Sequence, residues 1–445
     1  MLSKKIAVLG AGKSGLSSYK HYKNLGYDVV IWDENPKAVE SLEGEYSFLS
    51  YEKWDYQNLD FIITSPGIAL EHPKKHYVLE KSQEFNVKIY VDIELFIKEN
   101  PQIKYIAVSG TNGKSTTTAL IQHIFENAGK KCTYAGNIGI PVFDINPAMY
   151  EYIVLELSSY QIDLMNDIHF NCALLLNIQE DHLDHHGTFE NYKQVKYRLF
   201  ENQNFNDIAI VDSNLLKELQ EAIPYSKIIP ITTDKTLQGA NILVDENHIT
   251  DNYFSNNKNV VAYEDLLYLK GEHNYLNISF AYAVANFFNL AEEDIIKGIL
   301  SFKGLKHRQN NLGRINNITF INDSKATNQE STLQALKAFS DIYLILGGIA
   351  KSANLDVILP YLKQVKGIFL IGSSTPVFSK ILQENKISFV VCKNLQDATL
   401  KAYETAVVKG TGTVLLSPAC SSFDEFKSFE HRGDTFVDIV KDIKS

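Results

Sequence analysis

The segment Val108-Ser-Gly-Thr-Asn-Gly-Lys-Ser-Thr116 lies between the apolar run IKYIAV and the helix-patterned stretch TTALIQHIFENAG. A glycine turn that leaves a strand and opens a helix presents backbone N–H groups and a helix N-terminus to phosphate oxygens. In such a loop Lys114 neutralises β- and γ-oxygens, and the Ser115 hydroxyl holds Mg²⁺. The longer form of the motif begins with glycine, and residue 108 is valine, so the match is to the shortened G-T-N-G-K-S-T. The junction constrains the fold, because it belongs to sheets of parallel strands whose ligands sit beyond the C-terminal strand ends.

A second glycine loop, Gly10-Ala-Gly-Lys-Ser-Gly15, follows the strand-like KKIAVL, and Asp33 closes the next strand-like run, YDVVIWD. This is the dinucleotide-type pattern, with an acid placed for ribose. Taken alone it predicts an NAD-dependent oxidoreductase. A separate phosphate loop is more than a simple dehydrogenase needs, so the two loops together imply two phosphate-bearing ligands.

Apolar β-rich runs alternate with amphipathic stretches along most of the chain, the pattern of parallel α/β layers. The fold class expected is α/β in three tandem domains: Rossmann-like over 1–97, P-loop ATPase-like over 98–303 and Rossmann-like over 304–445. Polar stretches at Glu201–Asp207 and Thr233–Asn259 read as surface connections or small β elements, and His273–Asn289 as a helix. With 445 residues, two or three cores are expected. The net charge of −10 argues against a general nucleic-acid binder. No apolar run approaches the roughly 18 residues of a membrane span. The opening Met-Leu-Ser-Lys-Lys-Ile reads as the start of a strand rather than a signal peptide. Four scattered cysteines suit free buried thiols in the cytoplasm.

Glu156 ends the run YIVLE, a position suited to a Mg²⁺ ligand beside a phosphate loop. NIQEDHLDHHG then brings Asp181, His182, Asp184, His185 and His186 together. His182 follows the strand CALLLNI and faces the same edge as Glu156. His185 and His186 read as a solvated loop or helix start, since the i, i+4 histidine pair of zinc helices is missing. On the helix NYKQVKYRLF, composition does not choose between Lys193 and Lys196, and an exposed lysine is the default for each.

These segments resemble the Mur ligase family. GTNGKST, ELSSYQ, NIQEDHLDHHG, GEHNYLN, GLKHR and NDSKATN occur in the family's order and spacing, and the likeness covers essentially the whole chain. NDSKATN and SPACSSFDEFKSFEHRG are most similar to the members that join D-glutamate to UDP-N-acetylmuramoyl-L-alanine. TSPGI in the first domain fits those members too. The resemblance implies an ATP-dependent, amide-forming ligase of peptidoglycan synthesis, working as a cytoplasmic monomer without membrane or nucleic-acid partners. Its alternatives are another amino-acid-adding member of the family, or a nucleotide-binding protein that has lost ligase activity.

By the same resemblance, Gly110, Thr111, Asn112, Gly113, Lys114, Ser115 and Thr116 hold ATP phosphates, and Asn274, Arg308 and Asp323 the rest of the nucleotide. Ser115, Glu156, His182 and a carbamylated Lys196 are the implied ligands of two Mg²⁺ ions. Gly12, Ser14, Gly15, Asp33, Ser65 and Asn137 are the implied contacts to the UDP-sugar. Thr327, Lys351, Ser422 and Phe429 are those to D-glutamate, with Lys325 and Lys351 near the reacting groups. His307 precedes Arg308 in the family manner, without a defined role. Three departures stand out: Ile349-Ala350 replaces an expected polar pair before Lys351, Lys13 interrupts the first glycine loop, and DHLDHHG is richer in histidine than the motif requires.

Overall fold

The structure is a computed structural model that describes residues 4–42, 44–66, 75–222, 226–350 and 352–444. Among these residues the strands form three sheets. The first is parallel, in the order β2-β1-β3-β4, with β1 Lys5–Leu9, β2 Asp28–Trp32, β3 Phe61–Thr64 and β4 Lys88–Tyr90. The second has nine strands in the order β13-β12-β11-β10-β9-β8-β5-β7-β6. Its parallel centre is β5 Lys104–Ser109, β6 Cys132–Gly136, β7 Tyr152–Glu156, β8 Cys172–Leu175, β9 Ile208–Asp212 and β10 Lys227–Thr232. β11 Ile242–Val244 extends it in parallel, and β12 His248–Asp251 and β13 Lys258–Ala262 close the edge antiparallel.

Central strands read as unbroken apolar runs because helices cover both faces. Every residue of Tyr152–Glu156 and of Cys172–Leu175 is buried accordingly. The polar stretch expected to hold small β elements supplies β11, β12 and part of β13, and the expected helix after it runs over Glu272–Phe287.

The third sheet runs β14-β15-β19-β16-β17-β18: Asn310–Ile315, Ile318–Asn322, Gly412–Leu416, Ile342–Gly347, Gly367–Ile371 and Val390–Val391. β14 pairs antiparallel with β15, and the remaining pairings are parallel.

Packing divides the chain into two compact units, Met1–Asp265 with Tyr275–Ser301, and Leu266–Asn274 with Phe302–Ser445. The first unit holds the first two sheets. One hydrophobic cluster runs through both, from Ala7, Leu9, Ile62 and Phe96 to Ala107, Ile153, Leu155 and Leu175. Ser17 Oγ donates to Asp144 across the same boundary at 2.6 Å. Among the described residues no helix is long and apolar enough to cross a membrane.

Candidate functional site

The central phosphate loop leaves β5 at Ser109 and enters the helix Lys114–Asn127 at Gly113. Gly113 has φ +86°, and a Cβ there would stand 2.5 Å from Asn277 Oδ1, so glycine is required on both counts. The loop is braced by NIQ after β8, the strand that pairs with β5. Asn177 Oδ1 accepts from Thr111 N at 3.1 Å and Asn112 N at 2.9 Å. Gln179 N donates to Thr111 Oγ1 at 2.9 Å, and the Tyr192 hydroxyl lies 3.1 Å from the same oxygen.

Two lysines converge on this loop. Lys114 Nζ donates to the carbonyls of Gly110 (2.8 Å) and Thr111 (2.9 Å). Lys196 Nζ donates to Ser109 Oγ and to the same Gly110 carbonyl, each at 3.2 Å. Lys196 is only 1% exposed. Burial first, then the positive charge of Lys114, holds its amine well below the ordinary lysine range. The exposed-lysine default is therefore wrong for Lys196, which lies on the buried face of the helix Phe189–Tyr197 with Tyr192 one turn earlier. Lys193 instead faces outward enough to pair with Glu218 and Glu190.

Glu156, at the end of β7, is 1% exposed. Asn137 Nδ2 donates to its Oε1 at 2.9 Å, whereas its Oε2 is buried with no hydrogen-bond partner among the described residues. Such an oxygen is costly in a protein interior unless a cation or donor meets it. Ser115 is buried in the first turn of the helix behind the loop. His182 adopts φ +54° before the short helix Leu183–His186, and the Tyr160 hydroxyl lies 3.3 Å from its Nδ1. Burial of its inner side, opposed by Asp181 and Asp184, keeps the ring below the usual histidine range. A cleft of about 360 Å³ is lined by Gly110, Lys114, Asn137, Tyr160, His182 and Lys196, and by Pro66 from the end of the first sheet. Asn137 thus shares one cleft with the phosphate loop and with Pro66.

The solvated reading of His185 and His186 is overturned. His186 is 6% exposed, and its Nε2 lies 3.0 Å from Ser159 Oγ. Burial, followed by the neighbouring His185, His182 and Lys196, pushes its pKa down to about 4. His185 Nε2 lies 3.4 Å from Asp163 Oδ2. The helix start was anticipated, but not that Tyr160 and the helix Ser159–Leu164 would cover its histidines.

At the first glycine loop Asp33 Oδ2 accepts from Ala11 N at 2.7 Å, and its Oδ1 accepts from Asn35 N at 2.8 Å. Gly12 caps the helix Lys13–Asn24, on which Ser14 reaches the buried Asp92. Gly15 touches the Gly10 carbonyl, and Ser65 N donates to Leu9 O at 2.8 Å. The TSPGI segment is described through Pro66, and Gly67 and Ile68 lie outside the described residues.

The second unit holds the remaining predicted residues except Lys351, which lies outside the described residues. Asp323 accepts from Ser417 Oγ at 2.7 Å and Gln309 N at 3.1 Å. Burial raises its carboxyl to about 7 despite these donors and the Arg308 charge. Lys325 Nζ stands 3.9 Å above the ring of Phe429, and Thr327 N donates to Lys325 O at 2.8 Å. Ser422 Oγ is buried without a hydrogen-bond partner among the described residues. His307 accepts through Nδ1 from Asn322 Nδ2 at 3.1 Å, and Asn322 Nδ2 also donates to the Gly433 carbonyl at 2.8 Å. Asn274 donates to Lys270 O at 2.8 Å.

Comparison with known proteins places this geometry in context. A model of the Mur ligase middle domain matches residues 108–285, and one of the Mur ligase MurD-like N-terminal domain matches residues 4–87. The UDP-N-acetylmuramoylalanine–D-glutamate ligase of Rickettsia prowazekii (strain Madrid E) is 38% identical, over 98% of this chain and 98% of its own. That of Caulobacter vibrioides (strain NA1000 / CB15N) is 36% identical, over 97% and 94%. Among solved structures, MurF from Acinetobacter baumannii matches with a TM-score of 0.60 at 16% identity, covering 99% of this chain and 91% of that one. The UDP-N-acetylmuramate-alanine ligase of Thermotoga maritima gives 0.59 at 16%, covering 99% of each; at such identity the likeness concerns the fold.

Proposed function

The chain belongs to the Mur ligase family, and on that premise we propose that it joins D-glutamate to UDP-N-acetylmuramoyl-L-alanine, converting ATP to ADP and phosphate, in peptidoglycan precursor synthesis. Its full-length relatives are named for that ligation, so the oxidoreductase alternative falls away. The observation that carries the chemistry is the gathering of Lys114, Lys196, His182 and the phosphate-loop residues Gly110 and Thr111 on one cleft, with Glu156 bound to the cleft residue Asn137.

A carboxylate does not condense with an amine in water, because its oxygen is a poor leaving group. Transfer of the γ-phosphoryl group to the muramoyl-alanine carboxylate gives an acyl phosphate. The D-glutamate amine then attacks that carbonyl, and the tetrahedral intermediate expels phosphate. The protein must screen charge between two anions, align the attack and keep water out. The Gly110–Thr116 loop holds the ATP phosphates, and Lys114 turns its ammonium from the loop carbonyls to the β- and γ-oxygens.

Ser115 and Glu156 would hold one Mg²⁺, and the buried, unpartnered Glu156 Oε2 fits a cation. His182 and Lys196 would hold a second; when bound, the ions supply charge screening between carboxylate and phosphate oxygens. Burial holds the Lys196 amine well below the ordinary lysine range, which eases loss of its proton. The free amine can add to CO₂ with loss of a second proton, and the anionic carbamate so formed is an oxygen ligand. Asn274, Arg308 and Asp323 complete the nucleotide contacts. Thr327, Lys351, Ser422 and Phe429 take D-glutamate beside Lys325, and Gly12, Ser14, Gly15, Asp33, Ser65 and Asn137 take the UDP-sugar. The proposed domains are 1–97, 98–303 and 304–445, in a cytoplasmic monomer.

The test is phosphate release from ATP by the purified protein with Mg²⁺, bicarbonate and UDP-N-acetylmuramoyl-L-alanine, comparing D-glutamate, L-alanine, L-lysine, diaminopimelate and no amino acid. Release is expected to require both the nucleotide-sugar and D-glutamate. Release with a different amino acid would replace the substrate, and none under any pairing would overturn the reading.

A further inference from the structure

We propose that Asp163, His185 and His186 form a binding site for one zinc-class divalent transition metal, separate from the phosphate-loop ligands, that fastens the helix Ser159–Leu164 to the helix Leu183–His186. Asp163 Oδ2 lies 3.4 Å from His185 Nε2 and 4.0 Å from His186 Nδ1, and the three donor atoms all fall within 4.8 Å of one another. A tetrahedral ion with bonds of about 2 Å spaces its donors roughly 3.3 Å apart. The carboxylate–His185 separation already matches, and small side-chain rotations close the other two.

The surroundings orient the donors as a metal requires. His186 Nδ1 is too far from Asp163 for a hydrogen bond, while its Nε2 is 3.0 Å from Ser159 Oγ. With the ring proton on Nε2 and donated to that hydroxyl, the Nδ1 lone pair faces the carboxylate and is free to take a metal. Fixing a ligating imidazole through its other nitrogen is how such sites set tautomer and direction. Arg198 Nη1 donates to the Asp163 carbonyl at 2.9 Å and stands 3.9 Å from Oδ1, while Oδ2 is the oxygen that faces both histidines. Two imidazoles and one carboxylate favour Zn²⁺, Co²⁺ or Ni²⁺ over Mg²⁺, which prefers oxygen. The ring of Tyr160 lies tilted with its centroid 4.2 Å from that of His185 while its hydroxyl approaches His182, so the two sites stand back to back around one side chain.

The experiment is titration of the full chain with Co²⁺ in excess Mg²⁺, followed by visible ligand-field absorption, with thermal unfolding in parallel with and without Zn²⁺. One equivalent of Co²⁺ should give an intense low-coordinate spectrum, and Zn²⁺ should raise Tm by several degrees. Both signals should vanish in His185→Gln and in Asp163→Asn and persist in His182→Gln. Far-UV circular dichroism of the metal-free variants establishes that they are folded. A signal lost in His182→Gln, a signal unchanged in His185→Gln, or no spectrum in the wild-type chain would each overturn the assignment.

Discussion

The two glycine loops of the first unit share a plan, strand to glycine turn to helix, yet they prepare for their ligands in opposite ways. At Gly10–Gly15 the protein brings an acid: Asp33 takes the Ala11 amide, and the buried Asp92 lies under Ser14. At Gly110–Lys114 it brings bases: Lys114 and Lys196 meet on one carbonyl, and Lys196 is buried. The turn alone therefore does not decide what is bound. An acid at the strand end suits hydroxyl groups of a sugar, while paired amines suit a polyphosphate or take up CO₂.

The sharpest way to break this contrast is at the lysines. Lys114→Ala should lower kcat about 10³-fold with little change in Tm, whereas Lys13→Ala, at an exposed position in the first loop, should change kcat by less than about 2-fold; steady-state phosphate release measures both. Next in size is the packing of the first turn. A Cβ on Gly15 would sit 1.8 Å from the Gly10 carbonyl, so Gly15→Ala should cost roughly 2–3 kcal/mol in urea unfolding.

Asp33→Asn should raise KM for the nucleotide-sugar about 10-fold, the loss of one charged hydrogen bond, and leave KM for ATP unmoved. Equal shifts in both constants would erase the distinction between the loops.

The smallest expected effects are slopes of stability with pH, and they should have opposite signs. Burial raises Asp92, so the folded chain binds more protons than the unfolded one above the ordinary aspartate range, and stability falls as pH rises there. Burial lowers Lys196, so the unfolded chain binds more protons below about pH 10.4, and stability rises with pH toward that value. Asp92→Asn and Lys196→Met should each remove a slope of at most about 1.4 kcal/mol per pH unit, in opposite directions, in urea unfolding followed across pH.

Much of this was legible before the fold. Glycine, lysine and hydroxyl residues at strand–helix junctions carry their meaning locally, so both loops and Glu156 could be placed by spacing. What stayed hidden depends on which helix face turns inward. Lys193 and Lys196 are chemically alike, and only the packing of Tyr192 and Tyr197 against the core places Lys196 inside. His185 and His186 carry polar neighbours in sequence, and their cover comes from Tyr160 and Ser159, some 26 residues earlier. The bracing by Asn177 and Gln179 did have a signal, because NIQ follows a strand that lies next to β5 and so falls beside the loop. Asn137 was named only through the resemblance, as a sugar contact, and its place beside Glu156 arises from the pairing of β6 with β7.

The apolar cluster that runs from Ile62 and Phe96 into Ile153 and Leu175 has a consequence for dividing the gene. A peptide ending at residue 97 and one beginning at 98 would each carry half of a shared interior. Each half made alone would behave as an orphaned subunit, sticky along the cut face and prone to precipitate. Produced together, the halves should find one another and restore the enzyme by complementation, as two chains of an obligate heterodimer do.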